Sequence, residues 1–202
     1  MIEFFTATTD YLEDKEEYAK CYESIYSYRK GKIDKLKSYS AKVSSLAAEK
    51  LLMEAFDKLD IPYDGEITEG EHGKPFLTNN RDIYFSLSHS GNRVMCAVAD
   101  SPVGCDVERI GRVNDKLANR FFSGKEMQLI DSEMDETKKA VLKTKIWCLK
   151  ESFGKLKGGG LADAIGKTEF ILDDNYEENL RQKGLRGFFH EEDGYICAVL
   201  VE

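Results

Sequence analysis

Neither histidine nor cysteine occurs in a pattern that could build a zinc site. The three histidines stand at 72, 89 and 190, the five cysteines at 21, 96, 105, 148 and 197, and no two cysteines form a CxxC pair. An odd cysteine count without such spacing points to a reduced, cytoplasmic setting rather than a disulfide framework. No window approaches the ~18 consecutive apolar residues that a membrane span needs. The opening "MIEFFTATTD" lacks the basic and apolar regions of a signal peptide. Positive charge is also short: 37 Asp and Glu outweigh 29 Lys and Arg, for a net charge of −8. No overall basic field invites nucleic acid, so any polyanion must be met locally. There is no Walker loop, GxGxxG or GxSxG either, which leaves no motif for P-loop, dinucleotide or hydrolase-elbow chemistry.

What the 202 residues do contain is ordinary for a soluble globular protein, 42% hydrophobic and 33% charged. That length makes one large domain or two small ones, with a substantial core. A short apolar opening reads as a strand, and the long segment through "AEKLLMEAFDKL" reads as helix, with Leu52, Ala55, Phe56 and Leu59 on one face. Five Lys and Arg cluster between Arg29 and Lys37, a solvated helix face on charge alone. "HGKPFLT" reads as a loop, and "IYFSLSHSG" with "NRVMCAVAD" reads as a hairpin about a Ser-Gly-Asn turn. From about Val113 to Lys157 the chain returns to helix, with Ile146, Leu149, Phe153 and Leu156 as the stripe of its last segment and the glycines at 158–160 ending it. "KTEFILD", "GFFHE" and "GYICAVLVE" are strand candidates. "RVMCAVAD" and "GYICAVLV" are alike and 101 residues apart, as two similar α+β halves with a crevice between them would produce.

The chemistry gathers around "PVGCDVERIG". Val103, Cys105 and Val107 are the apolar alternates of a strand, so Asp106 and Glu108 share the opposite face. Two such charges repel unless something cationic joins them. In "IWCLKESFGKLKG", Glu151 and Lys155 are spaced i, i+4 and share a helix face offset from the apolar stripe. Three carboxylates from a strand and a helix make a hard, oxygen-rich set suited to Mg²⁺, with Mn²⁺ as an alternative. A magnesium site calls for phosphate partners, and the basic run from Arg29, Lys74 in "GKP", and Ser88 with His89 are candidates.

"VGCDVE", "RFFSGKE" and "WCLKESFGKLKGGGL", in this order and spacing, resemble the 4′-phosphopantetheinyl transferases of the surfactin-synthetase-associated type; "GKPFL" and "FSLSHSG" fit the same family. The resemblance implies an α+β fold of two similar halves related by a pseudo-twofold axis. Residues 1–102 would carry the coenzyme A phosphate contacts, and residues 103–202 the metal site and carrier contacts. It implies transfer of the phosphopantetheine arm of coenzyme A to a serine of an apo carrier protein, with release of adenosine 3′,5′-bisphosphate. By motif, Asp106, Glu108 and Glu151 would hold the metal, and Glu126 would lie near the metal or its water. Lys155 would contact the pyrophosphate. Lys74, Ser88 and His89 would hold coenzyme A, with Arg29, Lys32 and Ser45 toward the adenosine phosphates. Glu151 is the first candidate base. A monomer that meets no nucleic acid or membrane is expected, with the carrier docking on "GKIDKLK" or on "RFFSGKEMQLI". A different Mg²⁺-dependent phosphoryl enzyme, or a non-catalytic binding relative, are the rival readings.

Overall fold

The computed structural model describes residues 1–160 and 168–202. Its frame is two three-stranded antiparallel sheets. In the first, β1 (Ile2–Thr8), β4 (Tyr84–Ser90) and β5 (Arg93–Ala99) run in the order β1-β5-β4. In the second, β6 (Val103–Arg109), β7 (Arg186–Glu192) and β8 (Tyr195–Val201) run in the order β6-β8-β7. The two alike segments of the sequence are β5 and β8, the central strand of each sheet, and all seven residues of each are buried. A strand covered on both faces has no polar alternate to show, so it reads as a continuous apolar run.

The two faces of β5 reach different cores. Val94, Cys96 and Val98 pack with the helices of the first half. Met95, Ala97 and Ala99 pack with Val103, Cys105, Val107 and Val199 of the second sheet. Beyond that sheet, Ile196, Ala198 and Leu200 of β8 meet Cys148, Leu149 and Leu156. The fold is therefore α+β, with the two sheets back to back and a long helix outside each: α3 (Tyr39–Lys58) on the first and α6 (Glu136–Lys157) on the second.

The helical stretches are more divided than periodicity indicates. The long N-terminal segment is α1 (Lys15–Ser24), α2 (Ser27–Asp34) and α3, and the segment from Val113 is α4 (Asp115–Phe121), α5 (Gly124–Ser132) and α6. Capping side chains mark the starts: Asp14 for α1, Ser38 for α3, Asn114 for α4, Ser123 for α5 and Asp135 for α6. Gly158, at φ +84°, ends α6 as expected. "HGKPFLT" is not all loop, because β3 (Pro75–Leu77) pairs with β2 (Ile67–Glu69).

"KTEFILD" forms no strand over its described residues from Thr168 onward. Its Phe170 N–H donates to the Glu126 carboxylate at 2.8 Å, which replaces a ladder bond with a side-chain one. A helix the sequence reading missed, α7 (Tyr176–Gln182), precedes β7. Among the described residues no helix is long and apolar enough to cross a membrane.

Candidate active site

Glycine at 104 decides where α6 lies. A Cβ placed there would stand 1.9 Å from the Ser152 carbonyl oxygen and 2.6 Å from Leu156 N, so only a residue without one lets the helix backbone settle on β6. This approach carries Lys155 over the strand. Its Nζ donates to the Cys105 carbonyl at 2.9 Å and to Asp106 Oδ1 at 2.8 Å. It donates also to Ser88 Oγ at 2.7 Å, and Ser88 in turn donates to the same Asp106 oxygen at 2.6 Å. One ammonium thus ties β4, β6 and α6 together.

The serines of β4 alternate, at 86, 88 and 90, and each meets β6. Ser86 Oγ accepts from Cys105 N–H at 3.0 Å, Ser88 reaches Asp106, and Ser90 donates to Glu108 in a close contact. Ser86 and Ser90 are partners the sequence reading passed over. The signal was present in "SLSHS", since a period of two puts all three hydroxyls on one strand face. Arg112 was missed as well: its Nη1 lies 3.2 Å from both Glu108 oxygens and donates to Ser90 Oγ at 3.1 Å. The cations beside the β6 carboxylates are therefore Lys155 and Arg112. Cys105 points away into the core, where burial raises its thiol to about 11.

Glu151 stands one helical turn before Lys155. Burial pushes its carboxyl up to about 7, the neighbouring Asp106 charge adds to this, and Lys155 works the other way. For Lys155 burial is the largest influence and opposes the charge, but Asp106, Cys105 and Glu151 together outweigh it and the pKa is raised. Among the described residues no three His, Cys, Asp or Glu side chains already enclose a metal position. The donor set nevertheless suits a hard divalent cation. It consists of oxygens, and buried Asp106 Oδ2 has no hydrogen-bond partner among the described residues. Glu151 is a third carboxyl whose ionisation the first two resist.

The basic candidates of the first half converge beside this cluster. Arg29, Lys32, Lys74 and Lys155 line one cavity of about 270 Å³. Each is also engaged by the protein. Arg29 Nε donates to buried Glu49 at 2.8 Å, and Lys32 pairs with Glu69 at 2.6 Å. Lys74 donates to the carbonyls of Leu156 (2.7 Å) and Val103 (3.3 Å), at the negative end of α6; burial lowers its pKa. His89, on the opposite face of β4 from Ser88, lines a second cavity of about 770 Å³ with Ser40, Ser44, Arg109 and Arg112. The ring reaches the surface, yet desolvation lowers its pKa and the Lys155 charge adds to that. Ser44 lines this second cavity, whereas Ser45 is among the residues lining neither.

Glu126 is fully buried and wholly engaged in structure. It caps α5 by accepting from Ser123 N–H at 2.7 Å, accepts from Phe170 N–H at 2.8 Å, and pairs with Lys150 at 3.0 Å. Its contacts orient α5 against α6 and do not reach Asp106, Glu108 or Glu151. Phe122, expected on a docking surface, is buried against Ile130 and Trp147.

Residues 102–200 match the family model described as the 4′-phosphopantetheinyl transferase superfamily. The chain is 31% identical over 147 residues to 4′-phosphopantetheinyl transferase gsp of Aneurinibacillus migulanus, covering 72% of this chain and 59% of that one. To 4′-phosphopantetheinyl transferase psf-1 of Bacillus pumilus it is 38% identical over 114 residues, 56% of this chain and 48% of the other. To 4′-phosphopantetheinyl transferase Sfp of Bacillus subtilis (strain 168) it is 36% identical over 107 residues, 52% and 45%. The chain spans about half the length of the curated relatives it matches.

Proposed function

We propose that this chain, a relative of the Sfp-like 4′-phosphopantetheinyl transferases, moves the phosphopantetheine arm of coenzyme A onto a serine of an apo carrier protein. The observation that carries the reading is the convergence of Lys155, Asp106 and Ser88 within 2.8 Å of one another, with Glu151 one turn away. Asp106, Glu108 and Glu151 would hold Mg²⁺, which when bound offsets negative charge on a transferring phosphoryl group.

The chain's own groups supply the remainder. Lys155 is held by Asp106 and aimed between the halves, where its ammonium stabilises charge on the departing bisphosphate. Glu151, on a rigid helix one turn from Lys155 and beside the β6 carboxylates, is suited to accept the serine proton. Arg29, Lys32 and Lys74 give the first cavity the positive charge that adenosine phosphates require, and His89 with Arg109 and Arg112 offers further positive charge from the second cavity on the other face of β4. Glu126 acts by position, through Lys150 on α6.

A cleft of about 730 Å³ whose lining includes Arg120, Phe121, Phe122, Lys157 and Lys183, with Glu169 as its acidic member, supports the α4–α5 side for an acidic carrier. Five free, buried cysteines suit a reducing compartment.

The test is incubation with coenzyme A, Mg²⁺ and a panel of apo carriers, read by intact mass. The expected result is a phosphopantetheine adduct on at least one carrier, lost in Asp106→Ala and Glu151→Ala proteins that melt as cooperatively as wild type. Near wild-type turnover in either variant overturns the assignment of the carboxylates.

A further inference from the structure

We propose that Arg112 is a built-in counter-cation that competes with a divalent metal ion for Glu108, and so sets how tightly the site holds metal. The inference rests on the metal reading of the β6 carboxylates given above. The two carboxylates are neutralised in different ways. Asp106 presents Oδ1 to Lys155 and Ser88, while its Oδ2 has no partner among the described residues. Glu108 has both oxygens engaged, but unequally. Its Oε1 accepts from Ser90 Oγ, from the Arg109 N–H at 2.9 Å and from Arg112. Among the described residues its Oε2 accepts from Arg112 alone, at 3.2 Å. Moving one side chain therefore frees Oε2, while Asp106 Oδ2 has no hydrogen-bond partner among the described residues, though the Cys148 thiol lies against Asp106.

Arg112 is suited to that movement and Lys155 is not. The Arg112 side chain is 63% exposed, and exposed ion pairs are weak and screened by salt. Lys155 is part-buried on a long helix and has three acceptors. A turn aims Arg112 at the carboxylate: its N–H closes on the Arg109 carbonyl at 3.2 Å, and Gly111 between them takes φ +86° in open space. The cavity of about 770 Å³ beside His89 and Ser44, which Arg112 also lines, has room for the displaced guanidinium.

The experiment is Mn²⁺ binding followed by the paramagnetic resonance of the free ion, at low ionic strength. It compares wild type, Arg112→Ala, Arg112→Lys, Glu108→Gln and the Arg112→Ala/Glu108→Gln double variant. Arg112→Ala is expected to bind Mn²⁺ about two- to fivefold more tightly than wild type, the range set by removing one part-buried ion pair whose cation is exposed. Arg112→Lys should fall between them. The gain should shrink as salt is raised, and vanish in the Glu108→Gln background. Equal or weaker affinity in Arg112→Ala overturns the inference, as does the same gain without Glu108, which would reflect net charge only. If wild type binds no Mn²⁺, or Glu108→Gln binds it as wild type does, the metal reading fails and this inference with it.

Discussion

The two halves of the molecule repeat one scaffold and fill it differently. In the first, Phe5 and Ala7 on edge strand β1 pair with Cys96 and Val94 of the central strand and pack into the core under α3. In the second, Asp106 and Glu108 on edge strand β6 pair with Ala198 and Ile196 at the same register positions. Backbone ladder bonds are indifferent to this exchange, because they use N–H and C=O alone. An apolar layer between strand and helix makes a core, and an acidic one at the same place makes a site. The long helices differ in the same sense. Buried Glu49 of α3 is met by Arg29 and by Tyr63 at 2.8 Å, whereas buried Lys150 of α6 has Glu126 as its counter-charge.

Breaking the buried charges tests that contrast hardest. Lys150→Met leaves Glu126 buried without its counter-charge and should cost about 3–5 kcal/mol in urea unfolding. Much of that loss should return in Glu126→Leu/Lys150→Met. Arg29→Met should cost less, about 1–3 kcal/mol, since Glu49 keeps the Tyr63 hydroxyl. Equal losses would mean the halves treat their buried charges alike.

The close approach of α6 comes next. Gly104→Ala pushes a Cβ into the Ser152 carbonyl and should cost about 2–3 kcal/mol. Glu3→Ala, at the matching place on β1 and exposed, should stay within ~0.5 kcal/mol. A neutral Gly104→Ala would show that α6 does not depend on that contact.

The smallest effect is a pH slope belonging to the second half. Glu151 ionises at about 7 when folded and near 4.5 otherwise, so between those values the fold keeps a proton that the unfolded chain has released. Stability of the metal-free protein should therefore fall as pH rises from about 4.5 through 7. The Glu151→Gln protein should lack roughly 2 kcal/mol of that fall. Melting curves at several pH values check it, and parallel slopes for the two proteins would refute it.

Much of the fold was legible because its signals are local. The hairpin of β4 and β5 follows from two apolar runs about Gly91, and the end of α6 from Gly158. Where one helix was read and three exist, the breaks come from caps such as Ser38 and Ser123, which a window of apolar periodicity averages away. "KTEFILD" misled because its Phe170 is buried through Glu126 and not through a sheet. In the site, the motifs named Asp106, Glu108, Glu151 and Lys155. Arg112 was overlooked because its partner was already counted as a metal ligand.

The sequence by itself determined the residue types, their strand and helix phases, and the alike central strands β5 and β8. Those follow from period and composition, which are properties of neighbours along the chain. Only the tertiary structure decided which cation meets which carboxylate: Lys155 on Asp106, 49 residues away, and Arg112 on Glu108, one turn away. That choice depends on Gly104 letting a helix backbone rest on a strand, and on two serines of the first half, Ser88 and Ser90, facing two acids of the second. The Lys155 contact is set by the packing of whole layers, which no spacing along the chain encodes, whereas Arg112 is brought onto Glu108 by the turn that follows β6.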